Sequence, residues 1–92
     1  MNIALDYDNT YTRDKVFWND FIKSAQSRGH RVLCVTLRTQ HQSEEVINDL
    51  KPLLGDNIFF TSLKSKNPYM FARGISIDVW IDDMPHFING DY

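Results

Sequence analysis

The feature that most constrains this chain is an alternation of short apolar runs with stretches of helical periodicity. Ile3-Ala4-Leu5 runs into Asp6, Arg31 to Val35 ends at Thr36, Asn57 to Phe60 ends at Thr61, and Ile77 to Ile81 stops at Asp82-Asp83. Their length and their β-branched and aromatic content predict four buried strands, each passing from apolar to polar. Between the first two, Phe17, Phe21 and Ala25 fall at i, i+4 and i+8 beside Trp18 and Ile22. That spacing predicts a helix, with Thr12 as its N-cap and Gly29 as its stop. A second helix is expected from near Gln42 to Leu54, with Val46, Ile47, Leu50 and Leu54 on one face. Glu44 and Glu45 suit its N-terminal dipole end, and Gly55 closes it. A third, shorter helix should run from Asn67 or Pro68 to Arg73, ended by Gly74.

Strands alternating with helices imply a parallel sheet of about four strands with helices on both faces. The expectation is an α/β, three-layer Rossmann-like domain. Its 92 residues suffice for a single domain spanning 1–92 and leave no room for a cap. Hydrophobic residues at 42% and charged residues at 24% are ordinary for a globular chain. A formal charge of -2 excludes a strongly basic nucleic-acid footprint. Cys34 stands alone, so it has no internal disulfide partner and no companion for a cysteine-based zinc site. It reads as a small buried hydrophobe in the second strand. No basic leader precedes Asp6, and no apolar run nears the ~18 residues of a membrane span, so a cytoplasmic protein with no membrane association is expected.

In such sheets, ligands bind outside the carboxyl ends of the strands, where the strand order reverses. The polar residues ending the strands are Asp6 and Asp8, Thr36 and Arg38, Thr61 and Ser62, and Asp82 and Asp83. Four carboxylates would converge on one edge. At an effective dielectric near 20, two unit charges ~4 Å apart repel by about 4 kcal/mol, so the group requires a cation or raised pKa values. Asp6, Asp8, Asp82 and Asp83 form an oxygen-only ligand set, which favours Mg²⁺ over zinc.

The segment Asp6-Tyr7-Asp8-Asn9-Thr10 after an apolar strand resembles the first motif of the haloacid dehalogenase (HAD) superfamily, Asp-x-Asp-x-Thr. Thr36 is similar to the superfamily's second motif, a lysine ahead of the last strand to its third, and Val79-Trp80-Ile81-Asp82-Asp83 to its fourth. The resemblance covers nearly the whole chain and implies a Mg²⁺-dependent phosphomonoester hydrolase working through an aspartyl phosphate. It casts Asp6 as nucleophile and Asp8 as general acid and base, with Asn9 tolerating the unusual φ of the bend between them. Thr36 would donate its hydroxyl to a phosphate oxygen, with Thr10 and Arg38 also expected at the substrate. Asp82 and Asp83 would hold the metal with Asp6 and the backbone carbonyl of Asp8. Lys64 and Lys66 are both candidates for the phosphate lysine; Lys66 is preferred because it directly precedes the third helix and lies at a family-like distance from Asp82.

The short spacing from Thr10 to the first helix leaves only a vestigial flap. Leu37 stands where many members carry a small residue, and with nine residues after Asp83 a fifth strand is not expected. An open, capless site points to nucleotide or polynucleotide phosphate ends as substrates, or to a homo-oligomer that lends a lid. Two other readings stay open: a nuclease holding metal ions with four acids, and a non-catalytic binding module that keeps the metal site. Tyr7 and Tyr11 could stack on a base or sugar, but packing over the sheet edge is simpler. His30, His41 and His86 lack ligand spacing, and His41 lies near enough to Thr36 to rim a pocket.

Overall fold

The computed structural model describes residues 1–90. In chain order these form β1 (Asn2–Leu5), a 3-10 turn (Tyr11–Arg13), α1 (Lys15–Ser27), β2 (Arg31–Thr36), a second 3-10 turn (Gln40–Gln42), α2 (Glu44–Leu54), β3 (Ile58–Phe60), α3 (Lys66–Phe71), β4 (Val79–Ile81) and α4 (His86–Asn89). The four expected strands are present and pair in parallel in the order β3-β2-β1-β4. Ile3 lies opposite Val32 on one side and Val79 on the other, and Leu5 opposite Cys34 and Ile81. β1 is therefore an interior strand, which explains its unbroken apolar run.

Successive strand residues point to opposite faces of a sheet, and the core divides accordingly. Ile3, Leu5, Val32 and Cys34 pack with Ile22 and Ala25 of α1 and with Val46, Leu50 and Leu54 of α2. Ala4, Leu33 and Val35 alternate with them and pack with Met70 of α3. Each fully buried Leu, Ile, Val or Met contributes roughly 1.5–3 kcal/mol of transfer free energy.

Several boundaries differ from the sequence reading. The N-cap of α1 is Asp14, whose carboxylate accepts from Phe17 N at 3.0 Å. Thr12 cannot serve, because residues 11–13 are used in the 3-10 turn and its hydroxyl accepts from Asn9 N at 3.0 Å. The later start turns Phe17 outward, leaving it 57% exposed, and the buried side of α1 centres on Ile22 and Ala25 with Trp18 and Phe21 beside them. Tyr7 and Tyr11, stacked 5.6 Å apart, supply core at this end instead. Gly29 ends α1 as expected: at φ 84° it lets His30 N reach Ala25 O while its own N–H reaches Gln26 O.

α2 begins at Glu44 rather than Gln42, and α3 spans Lys66–Phe71, so Lys66 lies inside the helix instead of ahead of it. Helix α4 was not expected; Pro85 at its N-cap, with φ -63°, is preorganised for a helix start. Among the described residues there is no fifth strand and no helix long and apolar enough to cross a membrane.

Candidate functional site

The chain moves from β1 through β2 to β3 in one direction, then crosses back to lay β4 on the other side of β1. The carboxyl ends of β1 and β4 thus meet where the strand order reverses, and the ladder continues one residue further through Asp6 N to Ile81 O at 2.9 Å. This pairing holds Asp6 beside Asp82 and Asp83.

Beyond Asp6 the backbone turns sharply. Asn9 takes φ 61°, the left-handed conformation that its residue type tolerates, and Tyr11 N and Thr12 N return to the carbonyls of Asp6 and Tyr7. The turn brings Thr10 back over the acids: its hydroxyl lies 3.1 Å from Asp6 Oδ2 and 3.4 Å from Asp83 Oδ1. The same turn sends Asp8 away from Asp6, out to the rim.

Lys66 enters from the first turn of α3. It is 2% exposed, and its Nζ lies 2.9 Å from Asp6 Oδ1 and 2.5 Å from Asp82 Oδ2. The other oxygen of Asp82 accepts from Met84 N at 2.9 Å, so both are occupied. Asp6, Asp82 and Asp83 each offer an oxygen, and the three atoms lie within 4.8 Å of one another. Three carboxylates face one ammonium. Burial pushes the Asp6 carboxyl up to about 7 against the pull of Lys66, with the Asp83 hydrogen bond and the Asp82 charge adding to the rise. Burial alone would lower Lys66, but Asp6 and Asp82 more than reverse that, and it stays protonated. The surplus negative charge and the all-oxygen donor set fit a hard divalent cation, and neither sulfur nor imidazole is present to favour zinc.

Of the residues expected at the site, Asp6, Asp8, Thr36, Lys66, Asp82 and Asp83 line one recess of about 100 Å³, while Thr10 and Arg38 do not. Thr10 is buried and braces the acids. The side chain of Asp8 is not in the acid group that could hold a metal. It lies in the fork of Arg38, with Nε to Oδ2 at 2.9 Å and Nη2 to Oδ1 at 2.8 Å. Arg38 also donates to Gln42 O at 3.0 Å and lies over the Tyr7 ring, 5.0 Å from its centre. Thr36 is buried at the end of β2, its hydroxyl accepting from Arg38 N at 3.3 Å. Lys64 borders a separate recess with Tyr69 and Arg73, on the outer side of α3.

Tyr7 and Tyr11 are 0% and 1% exposed, so neither ring can stack on a ligand. Tyr7 instead donates its hydroxyl to Asp49 Oδ2 at 2.5 Å, and Asp49 also pairs with Lys15 at 2.9 Å. Sequence reasoning missed Met84 and Phe87, which border the small recess from the unexpected α4 segment. The one available signal was Met84-Pro85, an apolar residue ahead of a helix-starting proline. Sequence reasoning named Ser62 as a strand-end residue but did not foresee that Ser62 and Leu63 follow β3 in left-handed conformations at φ 53° and 67°. Their amides reach Arg38 O and Leu37 O, tying this loop to the one after β2. No family model, curated protein or solved structure matches this chain.

Proposed function

We propose that this protein is a Mg²⁺-dependent phosphomonoester hydrolase of haloacid dehalogenase type, with Asp6 as the nucleophile. The observation that carries the reading is Lys66 Nζ set between Asp6 and Asp82 beside Asp83, at the carboxyl edge of a parallel sheet. Apolar clusters drawn from alternate strand positions further support a three-layer, capless, Rossmann-like arrangement.

In this reading one Asp6 oxygen attacks phosphorus, an aspartyl phosphate forms and the bond to the leaving oxygen breaks. Lys66 and Thr10 touch different oxygens of Asp6, which fixes the orientation of its carboxylate before the attack. Thr36 lines the same recess and offers a hydroxyl to a phosphate oxygen. Asp8, on the rim, serves as general acid once it has left the Arg38 fork and taken a proton from solvent, giving that proton to the leaving oxygen and then taking one from the water that hydrolyses the aspartyl phosphate. Asp6, Asp82 and Asp83 would hold the Mg²⁺, which would supply the positive charge that lets an anionic carboxylate meet an anionic phosphate.

Purified protein should release p-nitrophenol from p-nitrophenyl phosphate with Mg²⁺, lose that activity in EDTA, and lose at least about 10³-fold in kcat as Asp6→Asn. Turnover that persists in EDTA or in the Asp6→Asn variant would overturn the assignment.

A further inference from the structure

Resting on the phosphomonoester reading above, we propose that the leaving group of the substrate is an aliphatic alcohol carrying a protonated amine. The recess around Asp6 and Lys66, about 100 Å³, has room for a phosphoryl group and little more. The rest of the substrate extends outward, and in this proposal it passes Asp8, which serves the leaving oxygen, rather than Asn9 and Asp83 towards the recess beside Trp18. Asp8 also lines a second recess of about 580 Å³, with Arg38, His41, Gln42, Glu44 and Glu45. The two recesses share Asp8, the residue that serves the leaving oxygen.

The chemistry of the larger recess selects what it holds. Every lining side chain is a hydrogen-bonding one, and none is aliphatic. A nucleobase gains most of its affinity from aromatic stacking, and no Phe, Tyr or Trp lines this recess. A polynucleotide end brings further phosphates, which need free cationic side chains. The guanidinium here is already engaged by both oxygens of Asp8 and by Gln42 O, with one face against Tyr7. Asp8, Glu44 and Glu45 thus set three carboxylates against one committed cation. An ammonium has three donors and no acceptor, which suits acceptors of this kind. The expectation of nucleotide or polynucleotide ends came from the openness of a capless site; the lining of the recess favours a small cationic alcohol.

The test compares kcat/KM of the full chain with Mg²⁺ on O-phosphoethanolamine, glycerol 3-phosphate, 3-phosphoglycerate and 5′-AMP. O-phosphoethanolamine should exceed glycerol 3-phosphate by about 5- to 10-fold, and the two anionic or aromatic substrates by more. The Glu44→Gln/Glu45→Gln double variant should bring the first ratio towards one, and 0.5 M salt should shrink it in the unaltered protein. Equal or better turnover of 3-phosphoglycerate or 5′-AMP, or a ratio unchanged in the double variant, overturns the proposal. Turnover of p-nitrophenyl phosphate without the amine preference removes this inference alone. No turnover of any of the five esters removes the phosphatase reading, and this inference with it.

Discussion

The two ends of the sheet treat charge in opposite ways. At the amino end, polar groups pair off singly and in the open: the N-terminal amine with His30 Nδ1 at 2.9 Å, Asn2 N with Asp78 Oδ2 at 2.7 Å, and Arg31 with Asn57 at 2.9 and 3.1 Å. At the carboxyl end, Asp6, Asp82 and Asp83 crowd within 4.8 Å around one buried lysine. At the first end the charged groups stay exposed to water and bond to uncharged partners or to backbone. The second holds Asp6 and Asp82 largely out of water against one ammonium, with the exposed Asp83 beside them, and a buried ion left unpaired costs several kcal/mol. Stability alone gives a chain little reason to concentrate acids in this way, and it is at this end that the proposed function places its chemistry.

The sharpest way to break this contrast is Lys66→Met. It leaves the three carboxylates without their buried cation and should cost about 3–5 kcal/mol in urea unfolding, with Mg²⁺ restoring part of the loss. A cost below about 1 kcal/mol would show that the lysine neutralises little.

A second prediction follows from Asp6. Its native pKa near 7 lies above the ordinary 3.8, so between these values the folded state binds the extra proton. Stability without metal should therefore fall as pH rises from about 4 to about 7, by on the order of 3 kcal/mol. Asp6→Asn should flatten that slope, and Mg²⁺ should weaken it by favouring the carboxylate. A rise in stability across the same window that persists in Asp6→Asn belongs to other groups; a slope unchanged by the substitution would remove Asp6 as its source.

The smallest effect is expected at the opposite end. Arg31→Ala removes the bonds to Asn57 on an exposed strand start and should cost about 0.5 kcal/mol, with no dependence on Mg²⁺. A loss comparable to that of Lys66→Met would erase the distinction between the two ends.

Much of the scaffold was legible because local chemistry dictates it. Alternation of apolar strands with helical stripes marked all four strands and three of the helices, and Asn9 announced the bend after Asp6. The site was legible in part. Asp6, Thr36, Lys66, Asp82 and Asp83 do line one recess, because each terminates or follows a strand that ends at the same edge. The Asp8–Arg38 fork was not foreseen: it joins residues thirty apart, and only the bend at Asn9 aims Asp8 outward. Phe17 was placed inward by its spacing, but spacing gives a stripe and not its absolute rotation, which the Asp14 cap and the stacked tyrosines decide.

The amino-acid order by itself determined the alternating elements, the apolar faces and the acids at the strand ends, because hydrophobic periodicity and turn chemistry act over a few residues. Only the folded chain decided that β4 lies against β1, that Lys66 and not Lys64 is drawn between Asp6 and Asp82, and that Thr10 braces acids while Asp8 turns to Arg38. Those outcomes depend on which distant charges share one desolvated volume, a quantity that exists only once the sheet has formed.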